Sequence, residues 1–233
     1  MVGSAVGAVL LDVGGVFMLP DHDVLREPLR AAGACPDAAT LDRAHYAGVA
    51  AMDQADQVDW SLYHRAMARE AGVPAAKIDE ATKALGDAFL TPGLWRRVVP
   101  GSIEALRHLA ETGVNLGVVS NSDGTVEEGL LAAKVCQVGA GEGVPVTVVL
   151  DSHVLGMDKP DPRLFWIALE RLGVPPERAV HVGDTVRTDV HGARAAGVRA
   201  LHLDPYGQCR VDPDGHEHVG SLAEVARRVG LAG

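Results

Sequence analysis

Polar side chains interrupt this sequence at a few points where apolar runs end. Asp12 follows AVLL, Ser120 and Asn121 follow NLGVV, and Asp184 follows AVHVG, with Asp189 five residues further on. Lys159 lies in the segment GMDKPDP. An aspartate is ionised at neutral pH and could attack a phosphoryl group without activation, giving an aspartyl phosphate. Its obstacle is charge, since two anions about 4 Å apart repel by several kcal/mol in a partly buried site. A divalent cation held by Asp12, Asp184 and Asp189 would relieve that repulsion. A few carboxylates completed by water and a phosphate oxygen suit Mg²⁺. Lys159 would add a further positive charge, and Ser120 a hydroxyl donor to a phosphate oxygen. Gly14 and Gly15 let the backbone turn sharply beside Asp12 and come close to a ligand. Singly, each residue has a plainer reading: a turn cap, a polar loop, a surface lysine, a helix N-cap. Their joint placement favours the chemistry.

For these residues to meet, the runs that carry them must be neighbouring strands. Ala8–Leu11, Asn115–Val119, Val146–Leu150, Ala179–Val182 and Arg199–Leu203 are rich in Val and Leu and lack clean alternation, as parallel strands covered on both faces do. Helical spacing follows at Ser102–Thr112, Pro162–Leu172 and Asp189–Ala196, closed by Gly113, Gly173 and Gly197. The alternation predicts an α/β fold, a doubly wound Rossmann-like parallel sheet of five main strands whose ends share one edge.

Residues 18–98 break the pattern. Val24–Ala32, Leu41–Gln54, Trp60–Glu70 and Ile78–Phe89 read as helices, with breaks at Gly33, at Gly72 and Pro74, and at Pro92–Gly93. No strand is evident there. The expectation is an all-helical domain over 18–98, inserted into a core of 1–17 and 99–233 and able to act as a lid over the strand ends. Tyr46, Met52, Trp60 and Tyr63 are its larger side chains, expected mostly to pack between helices.

Composition narrows the function classes. The 233 residues carry 21 Lys and Arg against 31 Asp and Glu, a net charge of −10, which argues against a nucleic-acid partner. Hydrophobic residues, at 47%, suffice for a sizeable core. Cys35, Cys136 and Cys209 are far apart and form no C-x-x-C pair, so ordinary reduced thiols are expected. No apolar stretch approaches the roughly 20 residues of a membrane span. The first apolar run lacks a basic lead and is interrupted by Asp12, unlike a signal peptide. A soluble, cytoplasmic protein with a small-molecule substrate and no membrane partner is expected; oligomeric state is left open.

D-x-x-G-V after the first strand, S-N after the second, K-P-D-P, and then G-D-x-x-x-x-D resemble, in that order, the haloacid dehalogenase-like hydrolase superfamily. The resemblance spans about residues 6 to 205, and the insertion matches the helical lid of capped members by position. It implies Asp12 as nucleophile, Ser120, Asn121 and Lys159 at the substrate phosphate, and Mg²⁺ held by Asp12, Asp184 and Asp189. It further implies the strand order 5-4-1-2-3.

One position departs from the family pattern. Phosphatases of this superfamily mostly carry a second aspartate two residues after the nucleophile, which protonates the leaving group and then deprotonates water. Here that residue is Gly14. Its backbone carbonyl, the group that touches Mg²⁺ in the family, is retained, so the metal site survives while proton transfer is lost. General acid–base help is typically worth about 10²–10⁴-fold. The first expectation is a phosphatase for small phosphorylated metabolites with good leaving groups. The second is a phosphatase that recruits Asp21, His22 or Asp23, with His22 expected to be only a solvated loop residue. The third is a non-hydrolytic protein that binds a phosphorylated ligand. A carbon–halogen hydrolase is a lower option, because that branch lacks the acidic pair 184/189. A phosphonate-cleaving enzyme would need a lid lysine, and Lys77 and Lys83 read as solvent-facing. Two further motifs, GAGEG at 139–143 and HEH at 216–218, read as loops; no strand is expected directly before the first.

Overall fold

The structure is a computed structural model and describes residues 6–212 and 215–230. Six strands form its main sheet: β1 (Ala8–Leu11), β2 (Asn115–Ser120), β3 (Val148–Asp151), β4 (Ala179–Gly183), β5 (Arg199–Leu203) and β6 (Glu217–Val219). Their order is β6-β5-β4-β1-β2-β3, and every pairing within the sheet is parallel. The order 5-4-1-2-3 is therefore present, with a sixth strand beyond β5. All four residues of β1 are buried, which is why the run shows no polar alternation. Gly117 in β2 accommodates close packing: a Cβ there would lie 3.0 Å from Val148 Cγ1 and 3.1 Å from Leu10 Cδ2.

β3 begins two residues later than the expected Val146. Val144–Val146 instead pairs with a short strand, Cys136–Val138. The run changes partners at Thr147, whose N–H donates to Leu116 O in β2 at 2.9 Å. The GAGEG stretch is thus directly preceded by a strand, contrary to the sequence expectation. It still opens no helix, and it is braced by Gln137, whose Oε1 accepts from Gly143 N–H at 2.8 Å and whose amide donates to Gly139 and Gly143 carbonyls.

The chain forms two compact units. One comprises Met1–Phe17, Val98–Asp204 and Asp214–Gly233; the other comprises Met18–Arg97 and Pro205–Pro213. The expected 18–98 segment thus shares its unit with a return from the C-terminal part. Helices at His22–Ala31, Ala38–Met52 and Trp60–Glu70 start at Asp21, Asp37 and Asp59, each carboxylate accepting a first-turn N–H. A fourth helix spans Ile78–Ala88. The segment is not all helical: Met18–Pro20 and Trp95–Val98 pair as a two-stranded sheet at its ends. Strands this short carry too few residues for a period to show.

The second unit has its own core of Leu25, Leu29, Leu41, Tyr63, Met67 and Leu85. Tyr63 is fully buried, its hydroxyl 2.7 Å from His45 Nδ1. Tyr46 and Met52 are also buried, whereas Trp60 is exposed. No helix among the described residues is long and apolar enough to cross a membrane. No disulfide joins Cys35, Cys136 or Cys209.

Gly48 faces the Tyr63 ring so closely that a Cβ would come within 2.5 Å of it. Gly48→Ala is expected to destabilise by about 1–3 kcal/mol, read as a lower denaturant midpoint.

Candidate active site

Parallel pairing brings the ends of β1, β2 and β4 to one edge. Asp12 extends the pairing by one residue, its N–H donating to Val182 O at 2.9 Å, before the chain turns through Gly15 at φ 65°. Gly14 itself does not take a positive φ. Lys159 Nζ lies 2.7 Å from Asp12 Oδ1 and 2.7 Å from Asp189 Oδ1. One carboxylate oxygen from each of Asp12, Asp184 and Asp189 lies within 4.8 Å of the other two. All four side chains belong to buried residues. Segments distant in sequence thus meet at one point.

Asp189 sits in a π-type turn, Val186–Val190, directly after β4, where an α-helix starting at 189 was expected. It is densely hydrogen bonded. Its Oδ1 accepts from Lys159 Nζ and from His181 Nε2 at 2.8 Å. Its Oδ2 accepts from the Thr185 hydroxyl at 2.6 Å and the Thr185 N–H at 3.2 Å. Gly183 makes room for it, since a Cβ at 183 would overlap the Asp189 side chain. His181 and Gly183 were not singled out from the sequence. The only available signal was their position in HVGD.

Ser120 ends β2, buried, and its hydroxyl makes no hydrogen bond to another described residue. Asn121 was expected at the phosphate. Its carboxamide instead clasps the Lys159 backbone: Oδ1 accepts from Lys159 N–H at 2.8 Å, and Nδ2 donates to Lys159 O at 3.0 Å. The Lys159–Pro160 peptide is cis. Asp151, also missed in the sequence, pins the loop that follows β2. Its carboxylate accepts from Gly124 N–H at 3.0 Å, Val126 N–H at 3.3 Å and His153 N–H at 2.9 Å.

Electrostatics separate the acids. Burial pushes the Asp12 carboxyl up to about 6, with Lys159 opposing and the charges of Asp189 and Asp184 reinforcing. Burial acts in the same sense on Asp189, but the Lys159 ammonium and the His181 hydrogen bond together outweigh it and hold that carboxyl well below the usual range. Burial would lower Lys159, yet Asp12 and Asp189 raise it above its ordinary value. Three carboxylates against one ammonium leave an excess of negative charge. A compact set of hard oxygen donors with that excess fits a divalent cation of the Mg²⁺ class.

The groups considered as replacements for an acid at Gly14 are engaged within the second unit. Asp21 caps its helix and is ion-paired to Arg96. His22 Nε2 lies 2.9 Å from Asp42 Oδ1, and Asp42 is also gripped by Arg97 through two hydrogen bonds of 2.9 Å. Burial and the Arg97 charge hold His22 below the usual imidazole range. It is a buried, partnered side chain, not the solvated loop residue expected.

Because the folded pKa of Asp12 lies above its unfolded value, protonation of Asp12 favours the fold. That contribution is fully present below about pH 4 and is lost as pH rises through about 6. In chelator-containing buffer, Asp12→Asn is expected to gain melting temperature over the parent between pH 5 and pH 7, and to gain little below pH 4. A parallel pair of melting curves across pH would contradict the shift.

The haloacid dehalogenase-like hydrolase profile matches residues 6–197. The phosphoserine phosphatase of Thermus thermophilus is 40% identical over 162 residues, 67% of this chain and 61% of that protein. The phosphoglycolate phosphatase of Rhodospirillum rubrum is 35% identical over 153 residues, 64% of this chain and 58% of that protein. The aligned stretches thus span about three fifths of those relatives. Among solved structures, a HAD phosphatase from Thermococcus onnurineus superposes with a TM-score of 0.55 at 21% identity, covering 96% of this chain and 97% of that one, and so shares the fold. The chain belongs to the haloacid dehalogenase-like hydrolase family.

Proposed function

We propose that the chain is a Mg²⁺-dependent phosphatase for a small phosphorylated metabolite. The observation that carries this reading is the buried Lys159 ammonium, 2.7 Å from both Asp12 and Asp189, with the Asp184 carboxylate in the same cluster. The relatives named as phosphoserine and phosphoglycolate phosphatases support the substrate class. Asp12 Oδ attacks phosphorus, an O–P bond forms, and the ester P–O bond breaks to release an alkoxide. Lys159 offsets negative charge on the transferring group, and the Ser120 hydroxyl donates to one of its oxygens. Water then hydrolyses the aspartyl phosphate and restores Asp12. Asp12, Asp184, Asp189 and the Gly14 carbonyl are the groups that would hold Mg²⁺, which when bound supplies charge neutralisation at the phosphoryl oxygens. Asp189 already accepts four hydrogen bonds. It would meet the cation directly only by giving up one of them, and otherwise acts by charge and by holding Lys159.

Residues 18–98, inserted directly after the first motif, are proposed as the substrate-selecting lid on the core of 1–17 and 99–233. The proposed setting is the cytoplasm. Gly14 favours one competing reading, a protein that binds a phosphorylated ligand without turnover.

Phosphate release across esters and acyl phosphates of graded leaving-group pKa decides between them. Hydrolysis is expected to need Mg²⁺, to fall steeply as the leaving group worsens, and to drop by roughly three or more orders of magnitude in Asp12→Asn. Gly14→Asp is expected to flatten the dependence, raising turnover of poor leaving groups by about 10²–10⁴-fold. Affinity for a phosphorylated compound in Mg²⁺, with no release by either the parent or Gly14→Asp, would establish the binding reading.

A further inference from the structure

The HEH stretch expected to be a simple loop is part of a buried histidine cluster in the first unit. His218 lies in β6 directly across from His202 in β5. His216 lies in the bend just before β6, and its ring stacks on that of His218. The ring centroids of His202 lie 5.0 Å from those of both His216 and His218, and the last two are 4.5 Å apart. One ring nitrogen from each falls within 4.8 Å of the others. His202 and His216 are buried, and His218 is half-buried.

The hydrogen bonds assign the protons. His202 Nε2 lies 2.9 Å from the Asp184 carbonyl oxygen, which only accepts, so Nε2 carries the hydrogen. In the neutral ring Nδ1 then accepts from His216 Nε2–H at 3.0 Å, a bond that a cation between the two nitrogens would replace once His216 takes its other tautomer. An imidazole whose second nitrogen donates to a backbone carbonyl has the tautomer of a metal ligand, fixed by its outer partner. Two nitrogens bound at about 2.0–2.1 Å to one tetrahedral ion stand roughly 3.4 Å apart, so His202 and His216 would separate by a few tenths of an ångström from their hydrogen-bonded 3.0 Å to take one. The Asp204 carboxylate, 3.7 Å from His218 Nδ1, adds compensating charge.

We infer that His202, His216 and His218 form a transition-metal site of the Zn²⁺ class, separate from the carboxylate cluster. Imidazole nitrogens select a borderline ion, whereas the oxygen set at Asp12 and Asp184 selects a hard one. The site ties β5 to β6. Through His202 Nε2–H it also holds the backbone of Asp184 at the end of β4.

The test titrates Zn²⁺ and Co²⁺ into metal-stripped full-length protein in excess Mg²⁺, which occupies the carboxylates. One tightly held equivalent is expected, with visible Co²⁺ bands of low coordination number. His216→Gln and the half-buried His218→Gln should each weaken binding by about 100-fold, while Asp12→Asn leaves it unchanged. X-ray absorption at the Zn edge of the parent protein should show nitrogen neighbours at about 2.0 Å, and this reading needs no variant to fold. Binding that survives both histidine substitutions, that vanishes in Asp12→Asn, or that shows an all-oxygen shell would overturn the site.

Discussion

A single ammonium group organises the candidate active site. Lys159 Nζ stands at 2.7 Å from two carboxylates that would otherwise repel, with a third close by. Removing the ammonium would leave buried carboxylates uncompensated, and stranding buried charge in this way is typically far costlier than a buried pair is stabilising. The cluster is therefore fixed by what its absence would do. Its charge is also unbalanced toward the negative, which on the proposed reading would let the same residues attract a divalent cation and then a phosphorylated anion.

The scaffold meets the demands of that cluster in small, local ways. Parallel strands deliver Asp12 and Asp184 to one edge. Lys159, carried by a loop, needs separate anchoring, and the Asn121 carboxamide supplies it by bonding both backbone groups of Lys159. Asp189 needs its carboxylate folded back against β4, which Gly183 permits by having no side chain and which Thr185 and His181 secure by hydrogen bonds. Thus Asn121, Gly183, His181 and Thr185 act by holding the groups that would act on a substrate.

What was legible in the sequence follows from distance along the chain. β1 and β5 were bounded to the residue, because a short Val- and Leu-rich run ended by polar or turn residues is a local signal. The four helices of the second unit were legible through their period and their breaks. Asp12, Lys159, Asp184 and Asp189 were legible because each stands at the end of such a run or in a recurring motif. Contacts between distant segments were not. Nothing local marks His181 as the donor to Asp189, or Asp151 as the acceptor for the loop beyond Ser120. His202 and His216 lie fourteen residues apart and meet only because β5 and β6 are paired. The strand Met18–Pro20 was too short for any period, and the membership of Pro205–Pro213 in the second unit depends on contacts alone.

The same electrostatics explain why glycine at position 14 matters. A proton shuttle needs a group whose charge changes easily near neutrality. Lys159 and Asp189 hold each other charged, the one raised and the other lowered. Asp12 is displaced toward neutrality, to about 6, but as the proposed nucleophile it is covalently occupied when the leaving group needs its proton. If it transfers a phosphoryl group as proposed, a site built this way would stabilise charge on that group and move protons poorly. On the proposed reading its selectivity would come from the leaving group itself, because only a departing oxygen that tolerates negative charge leaves without help.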